Sequence, residues 1–150
     1  MGCKMLDREF LDDLELIRWN AQYAFGTLGI NRGTKRAYYE PLKYAEDKCE
    51  MCLLGGAYYS FTGEKPVSSS EYDYASTMFK RLTGAEWVIE FPDGEGKTLL
   101  MDGVRVSVGN HTYASRFIAD LNDCFGRDKD IDVLFEIMTV FFRSRKSHSV

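Results

Sequence analysis

The chain has 150 residues, a formal net charge of −4, 45% hydrophobic residues and 28% charged residues. These values are typical of one globular domain with its own core, and we expect a single domain over residues 1–150. The acidic balance argues against nucleic acid as a partner, because phosphate neutralisation supplies most non-specific affinity for it. A run of about 18 apolar residues and a secretory signal are both missing, so we expect a cytoplasmic protein with no membrane partner.

The first third of the chain predicts two amphipathic helices. The first begins after Asp7, a favourable N-cap residue, and ends at Gly26. Its apolar residues recur at three- and four-residue spacing at Phe10, Leu14, Ile17 and Ala21. The second begins at Pro41 and contains Gly55 and Gly56. Its predicted buried face comprises Leu42, Ala45, Cys49, Cys52, Leu53 and Gly56. Because a glycine inside a helix costs about 1 kcal/mol relative to alanine, we expect close helix–helix contact at these two glycines.

The middle of the chain predicts a third helix followed by strands. Ser68 and Glu71 have the spacing of a capping box, and Gly84 is a C-terminal stop. Apolar residues then recur at every second position, which is typical of a strand. Asp102-Gly103 is a strong signal for a hairpin with a two-residue turn. We expect a three-stranded antiparallel meander over about residues 86–108, with residues 92–97 at a hairpin tip.

The last third predicts two more helices. Thr112 caps a fourth helix, which ends in a turn over residues 122–126. Asp128 or Asp130 caps the last helix, whose apolar face comprises Ile131, Leu134, Phe135, Met138, Phe141 and Phe142. The predicted fold class is therefore α+β, a helical bundle that carries the three-stranded meander.

Two short blocks stand out from this pattern. The first is Cys52-Leu53-Leu54-Gly55-Gly56-Ala57, and the second is Leu121-Asn122-Asp123-Cys124-Phe125-Gly126-Arg127 followed by Val133-Leu134. Together they resemble a family of small, mostly helical bacterial and phage domains of uncharacterised function. The chain departs from the family pattern by an extra glycine in the first block and by leucine at 121, where tryptophan is frequent. The resemblance implies a cytoplasmic accessory protein, and it brings no substrate, cofactor or catalytic residue.

The pair Cys49-x-x-Cys52 is the first candidate for chemistry. A redox motif needs a thiol at a helix N-terminus beside a strand, whereas the predicted second helix places both thiols in its interior. A zinc site needs a second pair of ligands at a matching spacing, and the sequence lacks one. We therefore predict two buried, weakly polar side chains, with no metal and no cofactor.

A cysteine nucleophile is the second candidate for chemistry. It requires a base and a group that orients the base. The candidate catalytic residues are Cys52 or Cys124 with His111 and Asp123.

Tyrosine pairs give the strongest indication of a binding surface. Adjacent tyrosines on a helix cannot all face inward, and tyrosine is favoured at interfaces. Asn122 and Asp123 are expected to shape a turn, and Arg127 to pair with Asp123 or with an external anion. The candidate binding residues are Tyr58, Tyr59, Tyr72, Tyr74, Lys97, Asn122, Asp123 and Arg127.

The function expected from these observations is non-enzymatic. We expect an accessory protein that acts by protein–protein interaction, and the resemblance suggests a phage-encoded modulator or inhibitor of a host system. A small-molecule or nucleotide-binding domain is the first alternative. A cysteine-dependent enzyme is the second.

Overall fold

The computed structural model describes residues 2–33, 39–41, 49–66, 74–90, 94–101, 103–109, 111–125 and 130–144. The fold is α+β, as the sequence predicts. The helices are α1 (Gly2–Gln22), α2 (Leu53–Thr62), α3 (Tyr74–Thr83), α4 (Ala114–Phe125) and α5 (Ile131–Ser144). The strands are β1 (Asn31–Arg32), β2 (Tyr39–Pro41), β3 (Cys49–Met51), β4 (Val88–Glu90), β5 (Lys97–Met101), β6 (Val104–Val108) and β7 (His111–Tyr113). A π-helical turn, Tyr23–Thr27, continues α1.

Helix α1 is longer than predicted. It begins at Gly2, so the predicted start after Asp7 is wrong. An aspartate inside a helix costs less than about 0.7 kcal/mol, too little to stop a helix that packing supports. The predicted apolar stripe from Phe10 to Ala21 is buried, and Ala24 continues it into the π-helical turn.

The predicted second helix is wrong over its first half. Pro41 lies in β2 and Cys49 in β3, and α2 begins only at Leu53. In this sheet β3 is central, parallel to β1 and antiparallel to β2. Pro41 is tolerated because β2 is an edge strand, where a missing N–H is not needed by a further neighbour. The short apolar runs in this segment fit the spacing of a helix or of a strand, and pairing within the sheet selects the strand.

The predicted three-stranded meander is also wrong. Strands β5 and β6 form the expected hairpin, with Met101 opposite Val104 and Gly103 at φ +79°. Strand β4 instead pairs with β7, placing Glu90 opposite His111. Strands β4 and β5 therefore belong to different ladders, so the hairpin predicted between them is wrong, and residues 92 and 93 of its predicted tip lie outside the described residues. Side-chain alternation identifies a strand but not its partner, which is why the predicted pairing is wrong.

The end of α3 and the start of α5 agree with the predicted boundaries. Gly84 ends α3 at φ +87°, and the Asp130 carboxylate accepts a hydrogen bond from the Asp132 N–H at the start of α5. The predicted capping box of Ser68 and Glu71 lies outside the described residues. Thr112 does not cap α4, because it lies in β7 and its hydroxyl donates to the Gly109 carbonyl.

The core joins α1 to the other helices and to the hairpin. Its main cluster comprises Phe10, Leu14, Ile17, Ala21, Cys52, Leu53, Leu54, Ala57, Tyr58, Met78, Phe79, Leu82, Val106, Val108, Ala114, Phe117, Ile118, Leu121, Phe125, Leu134 and Phe135. The close approach expected at the glycines of α2 is confirmed at Gly56, where the ring of Phe25 leaves no room for a Cβ. Trp87 packs edge-on against Phe10, and its indole N–H donates to Asp13.

Candidate binding surface

Three large apolar side chains are exposed along the outside of α1 and its π-helical turn. Trp19 is 62% exposed, Tyr23 51% and Leu28 43%. We call these three residues the outer row. Trp19 and Tyr23 are four residues apart, so they lie one turn apart on the same side of the helix. The residues of the buried stripe recur at three- and four-residue spacing, and Trp19 does not fall in that series. The outer row therefore lies on the side of the helix opposite the buried stripe.

The π-helical turn extends this row. The Leu28 N–H donates to the Tyr23 carbonyl at 3.1 Å, which brings Leu28 one wide turn beyond Tyr23. Inside the same turn, Phe25 packs against Gly56 of α2 and fixes the turn on the core. Single π-helical turns are rare and occur often at functional sites. The packing of Phe25 therefore holds the backbone of the outer row in place.

Acidic side chains border the outer row at its N-terminal end. Asp12 and Glu15 are exposed and lie seven and four residues before Trp19. Arg18, the single basic residue between positions 10 and 28, is 2.8 Å from the Asp132 carboxylate and 3.4 Å from that of Glu15. Because Arg18 is shared between two carboxylates, the border of the row keeps a negative charge.

Tyr58 occupies a different position from the one expected of an interface residue. It is only 5% exposed, because its ring belongs to the main core cluster. Its hydroxyl accepts a 2.6 Å hydrogen bond from Arg81 and donates to Glu64 at 3.1 Å. Tyr58 therefore ties α2 to α3 and the segment after α2.

Tyr59 and Tyr74 are less exposed than the outer row. Tyr59 is half-buried against the small cluster of Ala24, Ile30, Cys49 and Met51. Tyr74 is half-buried against the main cluster, while Tyr72 lies outside the described residues. Lys97 opens β5 opposite Val108 and is also half-buried. Tyr59 and Tyr74 thus pack against different core clusters.

The start of α2 is capped by two buried side chains. Cys52 is the N-cap residue, and its Sγ accepts a hydrogen bond from the Gly55 N–H at 3.2 Å. The Asn122 Oδ1 accepts from the Leu53 N–H at 3.1 Å. The prediction that Asn122 and Asp123 lie in a turn is wrong, since α4 continues through Phe125 and holds both. Core packing of Leu121 and Phe125 extends the helix over these residues.

The thiol pair lies at a strand–helix junction rather than inside a helix, which corrects the sequence prediction. Cys49 is in β3 and Cys52 caps α2. Complete burial and, to a smaller extent, the nearby charge of Asp123 nevertheless raise the pKa of Cys52 to about 12, although hydrogen bonds from backbone N–H groups oppose the shift. Burial also raises the pKa of Cys49, against the opposing charge of Lys65. Both thiols therefore stay protonated at neutral pH, which disfavours nucleophilic attack.

The other members of the candidate catalytic set lie in β7 and α4, and the charge of Asp123 acts on the thiols of both Cys52 and Cys124. His111 lies in β7, and its side chain is outside the described set. Cys124 is exposed, and desolvation together with the charges of Asp120 and Asp123 raises its pKa. Arg127, predicted to pair with Asp123, lies outside the described residues. The electrostatic surroundings of Cys124 are those of a weakly reactive thiol.

Glu86 makes tertiary contacts that were not predicted from the sequence. One carboxylate oxygen accepts from the Ser115 N–H at 3.2 Å, and the other accepts from the Ser76 hydroxyl at 2.8 Å. Glu86 thus caps α4 from a distant position in the chain and connects it to α3. Burial raises the pKa of this carboxyl above its ordinary value, although both hydrogen bonds oppose the shift.

Comparison with known proteins adds no assignment: the chain matches no family model, no curated protein and no solved structure. Across the part of the chain that the structure describes, no helix is long and apolar enough to cross a membrane. In the same part, His, Cys, Asp and Glu form no group of three that could hold a metal ion.

Proposed function

We propose that the chain is a non-enzymatic accessory protein that binds a protein partner through the outer row of α1. The observation that carries this proposal is the exposure of Trp19, Tyr23 and Leu28 in one row on a helix whose other side is the core. Tryptophan and tyrosine are the residue types most enriched among side chains that dominate binding energy. A cytoplasmic setting and a phage-encoded modulator of a host system remain the accompanying hypotheses from the family resemblance.

The chemistry of the thiols supports a binding role over the enzyme alternative. Complete burial raises the pKa of the Cys52 thiol to about 12, and desolvation together with the charges of Asp120 and Asp123 raises the pKa of Cys124. A cysteine nucleophile would need a lowered pKa or an adjacent base that removes its proton. The outer row needs neither a lowered pKa nor a base, because its binding energy would come from burying its side chains against a partner.

A capture experiment tests this proposal. The tagged chain, a Trp19→Ala/Tyr23→Ala variant and a Leu100→Ala variant are used to capture proteins from a bacterial lysate, followed by quantitative mass spectrometry. Leu100 is the matched control, because it is 66% exposed but lies on the β5–β6 hairpin. Circular dichroism confirms that each variant is folded.

The expected result is a protein captured by the parent chain and by the Leu100 variant, but lost with the Trp19/Tyr23 variant. Equal capture by all three proteins would contradict the proposal. Loss with the Leu100 variant alone would also contradict it and would place binding on the hairpin.

A further inference from the structure

The charge around the outer row indicates the class of partner. Between positions 10 and 28 the chain has three acidic residues, Asp12, Asp13 and Glu15, against one basic residue, Arg18. Asp13 accepts a hydrogen bond from Trp87 on the inner side of the helix. Asp12 and Glu15 are exposed and share the outer side with Trp19.

We infer that the outer row binds a basic segment of another protein, one in which arginine or lysine alternates with apolar side chains. This inference rests on the proposed function. The apolar side chains of the segment would cover Tyr23 and Leu28. Its cations would lie over the exposed face of Trp19 and pair with the carboxylates of Asp12 and Glu15.

Three other occupants fit the surface less well. Nucleic acids and anionic lipids carry phosphates, which the two exposed carboxylates repel. A second copy of this chain would place the same carboxylates near their counterparts across a two-fold interface. Like charges facing each other suppress such a contact, whereas a basic segment complements it.

Arginine-bearing peptides provide a direct probe. A short synthetic peptide with arginine at every third or fourth position and leucine between them is labelled with a fluorophore. In one matched peptide, citrulline replaces every arginine, which keeps the shape without the charge. In a second matched peptide, glutamate replaces every arginine. Binding to the full chain is measured by fluorescence anisotropy over a range of salt concentrations.

Four protein variants locate the binding site. Asp12→Asn/Glu15→Gln removes the charge beside the row, and Trp19→Ala/Tyr23→Ala removes the aromatic rings. Glu95→Gln/Glu136→Gln neutralises two exposed carboxylates outside α1, which controls for the overall acidity of the chain. Leu100→Ala controls for the loss of exposed apolar surface.

We expect the arginine peptide to bind, and the citrulline and glutamate peptides to bind at least about tenfold more weakly. Each of the two α1 variants should raise the Kd about tenfold or more, while the two controls stay within about twofold of the parent chain. Binding should weaken with salt, and this salt dependence should be smaller for the Asp12/Glu15 variant because fewer charges are screened.

Equal binding of the arginine and citrulline peptides, or an unchanged Kd for the Asp12/Glu15 variant, would overturn the inference. Concentration-dependent dimerisation in analytical ultracentrifugation that the Trp19/Tyr23 variant abolishes would overturn it too, by assigning the row to a second copy. If the capture experiment succeeds while the arginine peptide fails to bind, the proposed function stands and only the charge of the partner is wrong.

Discussion

The side-chain oxygen of Asn122 accepts a hydrogen bond from the backbone N–H of Leu53 at 3.1 Å, 69 positions away in the chain. Asn122 is only 2% exposed and lies inside α4, while Leu53 is the first residue of α2. One amide group thereby satisfies a buried helix terminus that water cannot reach. The contact fixes the position of α2 against α4 within the core.

Removing this acceptor should destabilise the protein. We expect Asn122→Ala to lower the free energy of unfolding by about 1–3 kcal/mol, because the buried Leu53 N–H loses its partner. Urea denaturation measures the change, with Thr98→Ala on the exposed face of β5 as the control. An Asn122→Ala protein as stable as the Thr98→Ala protein would contradict this role.

The two glycines of α2 should respond differently to alanine. A Cβ at Gly56 would lie 2.6 Å from the ring of Phe25, whereas at Gly55 the nearest atoms are at ordinary contact distance, 3.5 Å or more. Gly55→Ala should gain up to about 1 kcal/mol from helix propensity. Gly56→Ala should lose about 1–3 kcal/mol, because the ring must move within a packed core.

Urea denaturation of the two glycine variants measures this difference. Equal stability of the two variants would show that the contact with Phe25 does not restrict position 56. In the double variant Gly56→Ala/Phe25→Ala, the loss should be smaller than the sum of the single losses, because the clash is no longer possible.

Glu86 should make the stability depend on pH. Its pKa is raised by burial, so between the ordinary and the raised pKa the folded protein holds more protons than the unfolded chain. The contribution of Glu86 to stability therefore falls as the pH rises through this window. In Glu86→Gln, the amide keeps an acceptor for the Ser115 N–H and a donor for the Ser76 hydroxyl but carries no charge.

We expect the stability of Glu86→Gln relative to the parent chain to increase as the pH rises through that window. Glu86→Ala should lose about 0.5–2 kcal/mol at neutral pH, as expected for a lost helix cap. Urea unfolding of the three proteins at several pH values tests both statements. If the stability difference between Glu86→Gln and the parent chain stayed constant with pH, this would contradict the expected pH dependence.

Alkylation should separate the cysteines by exposure. Cys124 is exposed, whereas Cys49 and Cys52 are buried with raised pKa values. At neutral pH, iodoacetamide should modify Cys124 before Cys49, and Cys52 only when the protein unfolds, as peptide mass spectrometry would record. Rapid modification of Cys52 in the folded protein would instead support the cysteine-dependent enzyme.

The local sequence determined those features that depend on neighbouring residues. The buried stripe of α1 follows from the spacing of Phe10, Leu14 and Ile17, and the β5–β6 hairpin follows from Asp102-Gly103 between two apolar runs. The end of α3 at Gly84 needs only one residue that accepts a positive φ. These features require no knowledge of distant parts of the chain.

Part of the candidate surface could also have been predicted. Trp19 lies outside the apolar stripe of α1, so its exposure is implied by the same spacing that buries Ile17. The Tyr58-Tyr59 pair predicts an interface, because tyrosine is favoured at interfaces. The burial of Tyr58 depends on the packing of its ring in the main core cluster, and its hydroxyl meets Arg81 and Glu64 only in the folded chain.

Tertiary structure alone decided the pairings and the distant caps. Strand β4 pairs with β7 instead of with the hairpin, Asn122 caps α2, and Glu86 caps α4. Each of these contacts joins groups that are far apart in the chain, so no local spacing encodes it. They form because a buried N–H or carbonyl must find a partner once the core has closed, and only the packed helices determine which group is within reach.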